Sequence, residues 1–161
     1  MASANGLSNA HPKQPLFSFG VVTDIQHADI PDGHSFIGIP RYYRHSLQIL
    51  RRAVVKWNGL NRLKFSINFG DVIDGHCPKN QSLATAQKVL EEFEKSSAPV
   101  YHIIGNHCLY NLPRDKLMSL LKVPTSHGYY DFSPIPEYRF VVLDTFDSER
   151  IVRPREEILD V

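Results

Sequence analysis

The sequence predicts an α/β protein, a layered sheet with largely parallel central strands and helices packed against it. Three observations lead there. Short apolar runs rich in β-favouring residues alternate with stretches whose apolar residues recur at helical spacing. Each of the first three runs breaks off into a polar loop, as strands do where open α/β sheets bind their ligands. The chain has 161 residues, 42% of them hydrophobic and 22% charged, enough for one domain with a sizeable core.

The elements follow in order. Residues 1–15 are polar and lack an apolar signal core, so they are expected to be a disordered lead-in. Residues 16–22 form a first buried strand, ending at Thr23-Asp24-Ile25-Gln26-His27. Residues 28–40 carry two glycines and two prolines and should be loop. Tyr43, Leu47, Leu50, Val54 and Trp57 then recur at spacings of four, three, four and three, one face of a helix over 41–57. Asn58-Gly59 stops it.

A second strand over 64–69 delivers Gly70-Asp71-Val72-Ile73-Asp74-Gly75. Leu83, Ala86, Leu90 and Phe93 mark a second helix over 82–95, and 100–104 a third strand that opens into Gly105-Asn106-His107. A short helix is expected over 113–121 with Asn111 as its cap. Residues 129–132 and 138–143 read as a hairpin, followed by a charged tail.

The net charge of +1 points to neither nucleic acid nor a membrane surface as partner. No run approaches the length of a membrane span. Two cysteines, Cys77 and Cys108, give no disulfide framework, so a reducing compartment is expected: the cytoplasm, with the nucleus left open.

Three strand ends converge chemically. Asp24 and Gln26 follow the first strand, Asp71 and Asp74 the second, Asn106 and His107 the third. In a parallel sheet these ends share one edge. Carboxylates, amide oxygens and an imidazole there suit divalent ions such as manganese. An unpaired buried carboxylate at Asp71 would be costly, and a metal or a basic partner relieves it. Two ions side by side would suit displacement at phosphorus.

The set Asp24-x-Gln26, Gly70-Asp71-x-x-Asp74-Gly75 and Gly105-Asn106-His107 resembles the calcineurin-like metallophosphoesterases. Phe17-Ser18-Phe19-Gly20, Arg41-Tyr42-Tyr43-Arg44-His45 and Tyr110-Asn111 narrow the resemblance to the manganese-dependent ADP-ribose/CDP-alcohol diphosphatases. It covers residues 17–147 and implies a metallophosphoesterase sandwich, with 16–147 its N-terminal part and 148–161 a charged tail. It further implies a two-metal manganese site, other divalent ions being admissible, and a small-molecule nucleotide substrate. ADP-ribose would yield AMP and ribose 5-phosphate; CDP-alcohols would yield CMP and a phosphoalcohol. Asp24, Gln26, Asp71 and Asn106 would ligate metal, Asp71 as the bridge. Gln26 stands where most of the superfamily has histidine, which is typical of this subgroup. His107 would face the scissile phosphate, while Asp74 would brace the loop or orient His107.

Arg41, Tyr42, Arg44, His76 and Tyr110 are candidate substrate contacts, Arg41 and Tyr42 by charge and stacking on a nucleotide. The alternative for the arginines and Tyr42 is an ordinary solvated helix start, and for His76 an exposed loop. His27, one position past the motif slot, is a weaker candidate ligand.

Two departures from the family pattern stand out. Cys108 occupies a position where related diphosphatases carry an acidic residue. No histidine follows His127, and no G-H-x-H pair occurs, although metallophosphoesterases complete their site with such later histidines. The expectation is therefore the N-terminal half of the fold, with the C-terminal half missing. Such a half would have little activity alone and would tend to self-associate through its uncovered apolar face. Two alternatives remain open: a phosphomonoesterase or phosphodiesterase on the same site, and a truncated product that binds without catalysing.

Overall fold

Alternating strand and helix signals become a three-layer arrangement in the computed structural model, which describes residues 14–146. The charged tail and all but the end of the lead-in lie outside the described residues. The central layer is a parallel sheet of β1 (Ser18–Val22), β4 (Leu63–Asn68) and β5 (Val100–His102), in that spatial order. Between β1 and β4 come β2 (Gly33–His34), β3 (Pro40–Arg41) and α1 (Ser46–Asn58). Then follow α2 (Ser82–Phe93) before β5, and α3 (Asn106–Asn111), α4 (Arg114–Leu120), β6 (Tyr130–Ile135) and β7 (Tyr138–Val142) after it.

One side of the sheet is covered by helices. Leu47, Leu50 and Val54 of α1 join Ala86, Val89, Leu90 and Phe93 of α2 in the main core. Arg51 Nη2 and Glu92 Oε1 tie the two helices together at 2.8 Å. The opposite side is aromatic. Phe65 of β4 stacks on Phe19 at 5.0 Å and meets Phe132 and Phe140 of the antiparallel β6–β7 hairpin edge-on, at 5.0 and 4.9 Å. Edge-to-face contacts of this kind add to simple area burial. The Tyr130 hydroxyl anchors the hairpin to β5, donating to the His102 carbonyl at 2.8 Å and accepting from its N–H at 3.2 Å. Phe19 and Val21 of β1 are about half exposed.

Several local expectations need correcting. Residues 41–45 are not helical: Arg41 pairs in β3 with Gly33, and α1 begins at Ser46. Tyr43 is buried all the same, in a separate cluster with Ala28 and Cys77. Leu83 is partly exposed, and Val89 takes the buried position on α2. Asn111 caps nothing; Pro113 precedes α4, and Asn111 closes α3, a helix the sequence did not suggest. Strand β6 runs on through Ser133-Pro134-Ile135, where an irregular register absorbs the proline. Among the described residues, no helix is long and apolar enough to cross a membrane.

His102 gives this core a pH dependence. Its ring lies edge-on to Phe93 at 5.1 Å and its Nδ1 meets the Asn68 amide at 3.3 Å. Burial, with Lys122 adding to it, pushes His102 from an ordinary 6.5 down to about 4. The unfolded chain then binds the proton more readily than the folded one. Stability from this group is complete above pH 6.5 and is lost as pH falls toward 4, on the order of 3 kcal/mol in all. Urea unfolding at a series of pH values should show this slope, and His102→Phe should flatten it. An unchanged slope in the variant would place the acid sensitivity elsewhere.

Candidate metal centre and active site

The strand registers bring the motifs together. Val22, Asn68 and His102 are lateral neighbours across the sheet, so all three chains leave it at one edge. Pairing persists beyond the strands: the Gln26 N–H donates to the Asp71 carbonyl at 2.7 Å and His27 N–H to Val72 at 3.1 Å. Asp24, Gln26, Asp71 and Asn106 therefore stand on the same edge, as the spacing predicts.

The backbone is unusual there. Of the four non-glycine residues with positive φ among the described residues, three are Asp24 (56°), Gln26 (42°) and Asp71 (54°). Such conformations are costly and concentrate at functional sites. Gly70 (φ 101°) turns the chain immediately before Asp71.

Hydrogen bonds then sort donors from acceptors. Gln26 Nε2 donates to Asp24 Oδ1 at 3.1 Å, and Thr23 Oγ1 to Asp24 Oδ2 at 2.5 Å. Asn106 Nδ2 donates to the Tyr110 hydroxyl at 2.9 Å. Asp71 Oδ1 accepts the His107 N–H at 2.9 Å. With both amide nitrogens engaged, Gln26 Oε1, Asn106 Oδ1 and Asp71 Oδ2 accept no hydrogen bond among the described residues. Oxygen-rich donor sets of this kind fit a hard or intermediate divalent cation. The set is two carboxylates and two amides. Among the described residues, no three His, Cys, Asp or Glu side chains gather as a metal-binding group.

Asp74 is fully buried and serves its own loop. Its Oδ2 accepts from Arg41 Nη1 at 3.0 Å, and its Oδ1 accepts from the His76 N–H at 2.8 Å and lies 2.9 Å from His76 Nδ1. His107 Nδ1 lies 3.6 Å from Asp74 Oδ2 and accepts the Gly75 N–H at 3.0 Å. An accepting Nδ1 leaves the ring proton on Nε2. Asn111 closes this loop from behind, donating to the carbonyls of Asp74 and His107 at 2.7 and 3.0 Å.

The remaining candidates separate. Arg41 and Tyr42 line a cavity of about 160 Å³ together with Asp24 and Gln26. Arg44 instead pairs with Asp29 at 2.6 Å on the exposed surface. His76 is largely exposed, and the Tyr110 ring lies 5.4 Å from that of His107. His27 is buried, and burial lowers its pKa below the ordinary value. Its Nδ1 donates to the Tyr43 carbonyl at 2.9 Å, pinning the Arg41–Ser46 turn against the metal-side loops. Sequence reasoning gave His27 no such role, and its only local signal was its place within two residues of Gln26. Cys77 and Cys108 are both buried free thiols, and burial pushes Cys108 up to about 11.

The chain is similar to known proteins. Residues 17–157 match the family model described as calcineurin-like phosphoesterase. A manganese-dependent ADP-ribose/CDP-alcohol diphosphatase of Oryza sativa subsp. japonica is 63% identical over 97% of this chain and 49% of its own length. The protein of that name from Arabidopsis thaliana is 61% identical over 89% and 47%. The crystal structure of a dimetal phosphatase from Danio rerio superposes with a TM-score of 0.73 at 37% identity, covering 81% of this chain and 45% of that one. The chain thus spans about half the length of the curated relatives it matches.

Proposed function

From the premise that the chain belongs to the calcineurin-like phosphoesterase family, we propose that it carries the first half of a manganese-dependent diphosphatase site acting on nucleoside diphosphate-linked sugars and alcohols. The observation that carries this reading is the oxygen set at one sheet edge, with its amide nitrogens tied down and its oxygens left to accept. The printed names of the rice and Arabidopsis relatives support the substrate class and the metal.

Asp24, Gln26, Asp71 and Asn106 are the residues that would hold the metal, with Asp71 as the shared carboxylate. When bound, a metal pair supplies an activated water and neutralises charge on the phosphoryl group. The chain's own groups do the rest. His107, with its proton on Nε2, donates to a phosphoryl oxygen or to the departing phosphate. As the water oxygen joins phosphorus and the P–O bond of the anhydride breaks, that proton compensates the leaving oxygen. Asp74 and Gly75 hold the imidazole in place, and Asn111 holds the His107 main chain through its carbonyl.

The test joins this chain to the remaining half of the rice relative, beside the 161-residue chain alone. With ADP-ribose and manganese, the joined protein should release AMP, and His107→Ala should remove that activity. The chain alone should release little. An active joined protein indifferent to His107→Ala would overturn the assignment. Release of phosphate from phosphomonoesters, without AMP from ADP-ribose, would favour the phosphomonoesterase alternative.

A further inference from the structure

The two amide side chains of the oxygen set are oriented by different means. Gln26 Nε2 donates to Asp24 Oδ1, so one member of the set holds another. Asn106 Nδ2 donates instead to the Tyr110 hydroxyl at 2.9 Å. Tyr110 sits one turn further along α3 and lies outside the set. A carboxylate can meet a cation through either oxygen. An asparagine cannot. Its terminal torsion is broad and roughly two-fold, and half a turn replaces the oxygen with an NH2 group, which repels a cation.

Tyr110 is itself held from two sides. Lys79 Nζ donates to its carbonyl and, at 3.1 Å, to Asn111 Oδ1. Asn111 in turn donates to the carbonyls of Asp74 and His107. A helix as short as α3 is not stable alone, so these contacts are what keep it in place. On its other side the Tyr110 ring lies against Gly75, where an added Cβ would come within 3.1 Å of Tyr110 Cδ2. The glycine that closes the Asp71–Asp74 loop thus leaves room for the ring. A ligand whose partner is locked in this way is preorganised.

We propose that Tyr110 is a positioning residue of the metal centre: its hydroxyl engages the Asn106 nitrogen and so leaves Oδ1 as the end that meets a cation. The inference rests on the diphosphatase reading and adds to it a residue that contributes no ligand atom. Hydrogen bonds that orient a metal ligand from outside are worth about 10–100-fold in metal affinity. Tyr110 is 60% exposed, so water takes over the bond to nitrogen once the hydroxyl is gone. The low end of that range, about tenfold, is therefore the expected effect. A carboxylate in place of the Asn106 amide presents an oxygen whichever way it turns, so it has no need of Tyr110.

Manganese titration of the 161-residue chain, followed by electron paramagnetic resonance, tests this as a double-mutant cycle. Tyr110→Phe keeps the ring against Gly75 and removes only the hydroxyl; it should weaken binding about tenfold. In the Asn106→Asp background the same change should cost no more than about twofold, the scatter of independent sites. Equal losses in both backgrounds would mark a merely structural effect and overturn the proposal. A Tyr110→Phe chain that binds as tightly as the original would do so too. Side-chain amide NMR of the metal-free chain keeps the two readings apart. One Asn106 amide proton should lie downfield, held by the hydroxyl, and Tyr110→Phe should return it to the ordinary asparagine position. That result in a chain that takes up no manganese upholds the role of Tyr110 and sinks the metal assignment. Asp71-dependent manganese binding that ignores Tyr110→Phe does the reverse. An Asn106 amide that Tyr110→Phe leaves unmoved overturns the proposal whatever the metal does.

Discussion

Asp71→Asn is expected to abolish manganese retention, whereas Asp74→Asn is expected to keep the metal and lose stability. The two carboxylates are three residues apart in one loop, yet their surroundings differ in kind. Asp71 Oδ1 accepts only the His107 N–H, and Oδ2 is unengaged among the described residues. Its positive φ is one that asparagine tolerates as well as aspartate. The asparagine variant would therefore keep the fold and the hydrogen bond while removing the charge that a shared ligand supplies. In the joined protein, turnover should fall by at least about 10²–10³, the loss typical of one preorganised electrostatic contact.

Asp74 is fully buried against Arg41 and His76. Removing one partner of a buried ion pair costs about 3–5 kcal/mol. Arg41 keeps some contact with water, so about 1–3 kcal/mol is the better expectation. For a chain of this size that corresponds to a drop in Tm of roughly 3–10 °C. Elemental analysis of dialysed protein beside a thermal melt separates the two effects. Equal metal loss in both variants would contradict the roles assigned.

That contrast was only half legible in the sequence. Strand ends and their motif residues were readable because apolar runs terminate sharply, and a parallel sheet then places Asp24, Asp71 and Asn106 on one edge without further information. The partners of Asp74 were not readable. Arg41 lies 33 positions away, in a short antiparallel pairing that no periodicity announces. Helical spacing through Tyr43 even pointed the wrong way: its ring is buried, as a helix face would require, but in a separate small cluster. Helix α3 was missed because its 6 residues, Asn106–Asn111, hold two asparagines and a histidine, which are weak helix formers. It forms where Asn111 can bind the Asp74 loop, a tertiary reason with no local signal. The hairpin was legible as strands, but its packing onto Phe65 depends on contacts between residues 67 and 75 positions apart.

Gly105→Ala is expected to destroy the same metal centre without removing any ligand. Gly70 and Gly105 bring the ends of β4 and β5 into backbone contact: a Cβ at Gly70 would lie 2.8 Å from the Gly105 Cα. A Cβ at Gly105 would collide with the Asp71 carboxylate oxygen and backbone nitrogen, and would lie 2.7 Å from its Cγ. These atoms cannot yield as the end of a flexible side chain can, because Asp71 is fixed by its own turn and by the His107 N–H. The added methyl must therefore push the two motif loops apart. Overpacking of this kind costs about 1–3 kcal/mol, and displacing Asp71 separates it from Asn106, the next residue after the glycine. Gly59→Ala is the control, since a Cβ there would meet the Lys56 and Val55 carbonyls at an ordinary 3.5 and 4.0 Å. Its effect on stability should lie within about 1 kcal/mol of neutral. Urea unfolding and manganese binding measured on both variants make the comparison. A Gly105→Ala protein as stable and as well loaded with metal as the Gly59→Ala control would mean that the two loops do not hold Asp71 against the Gly105 backbone.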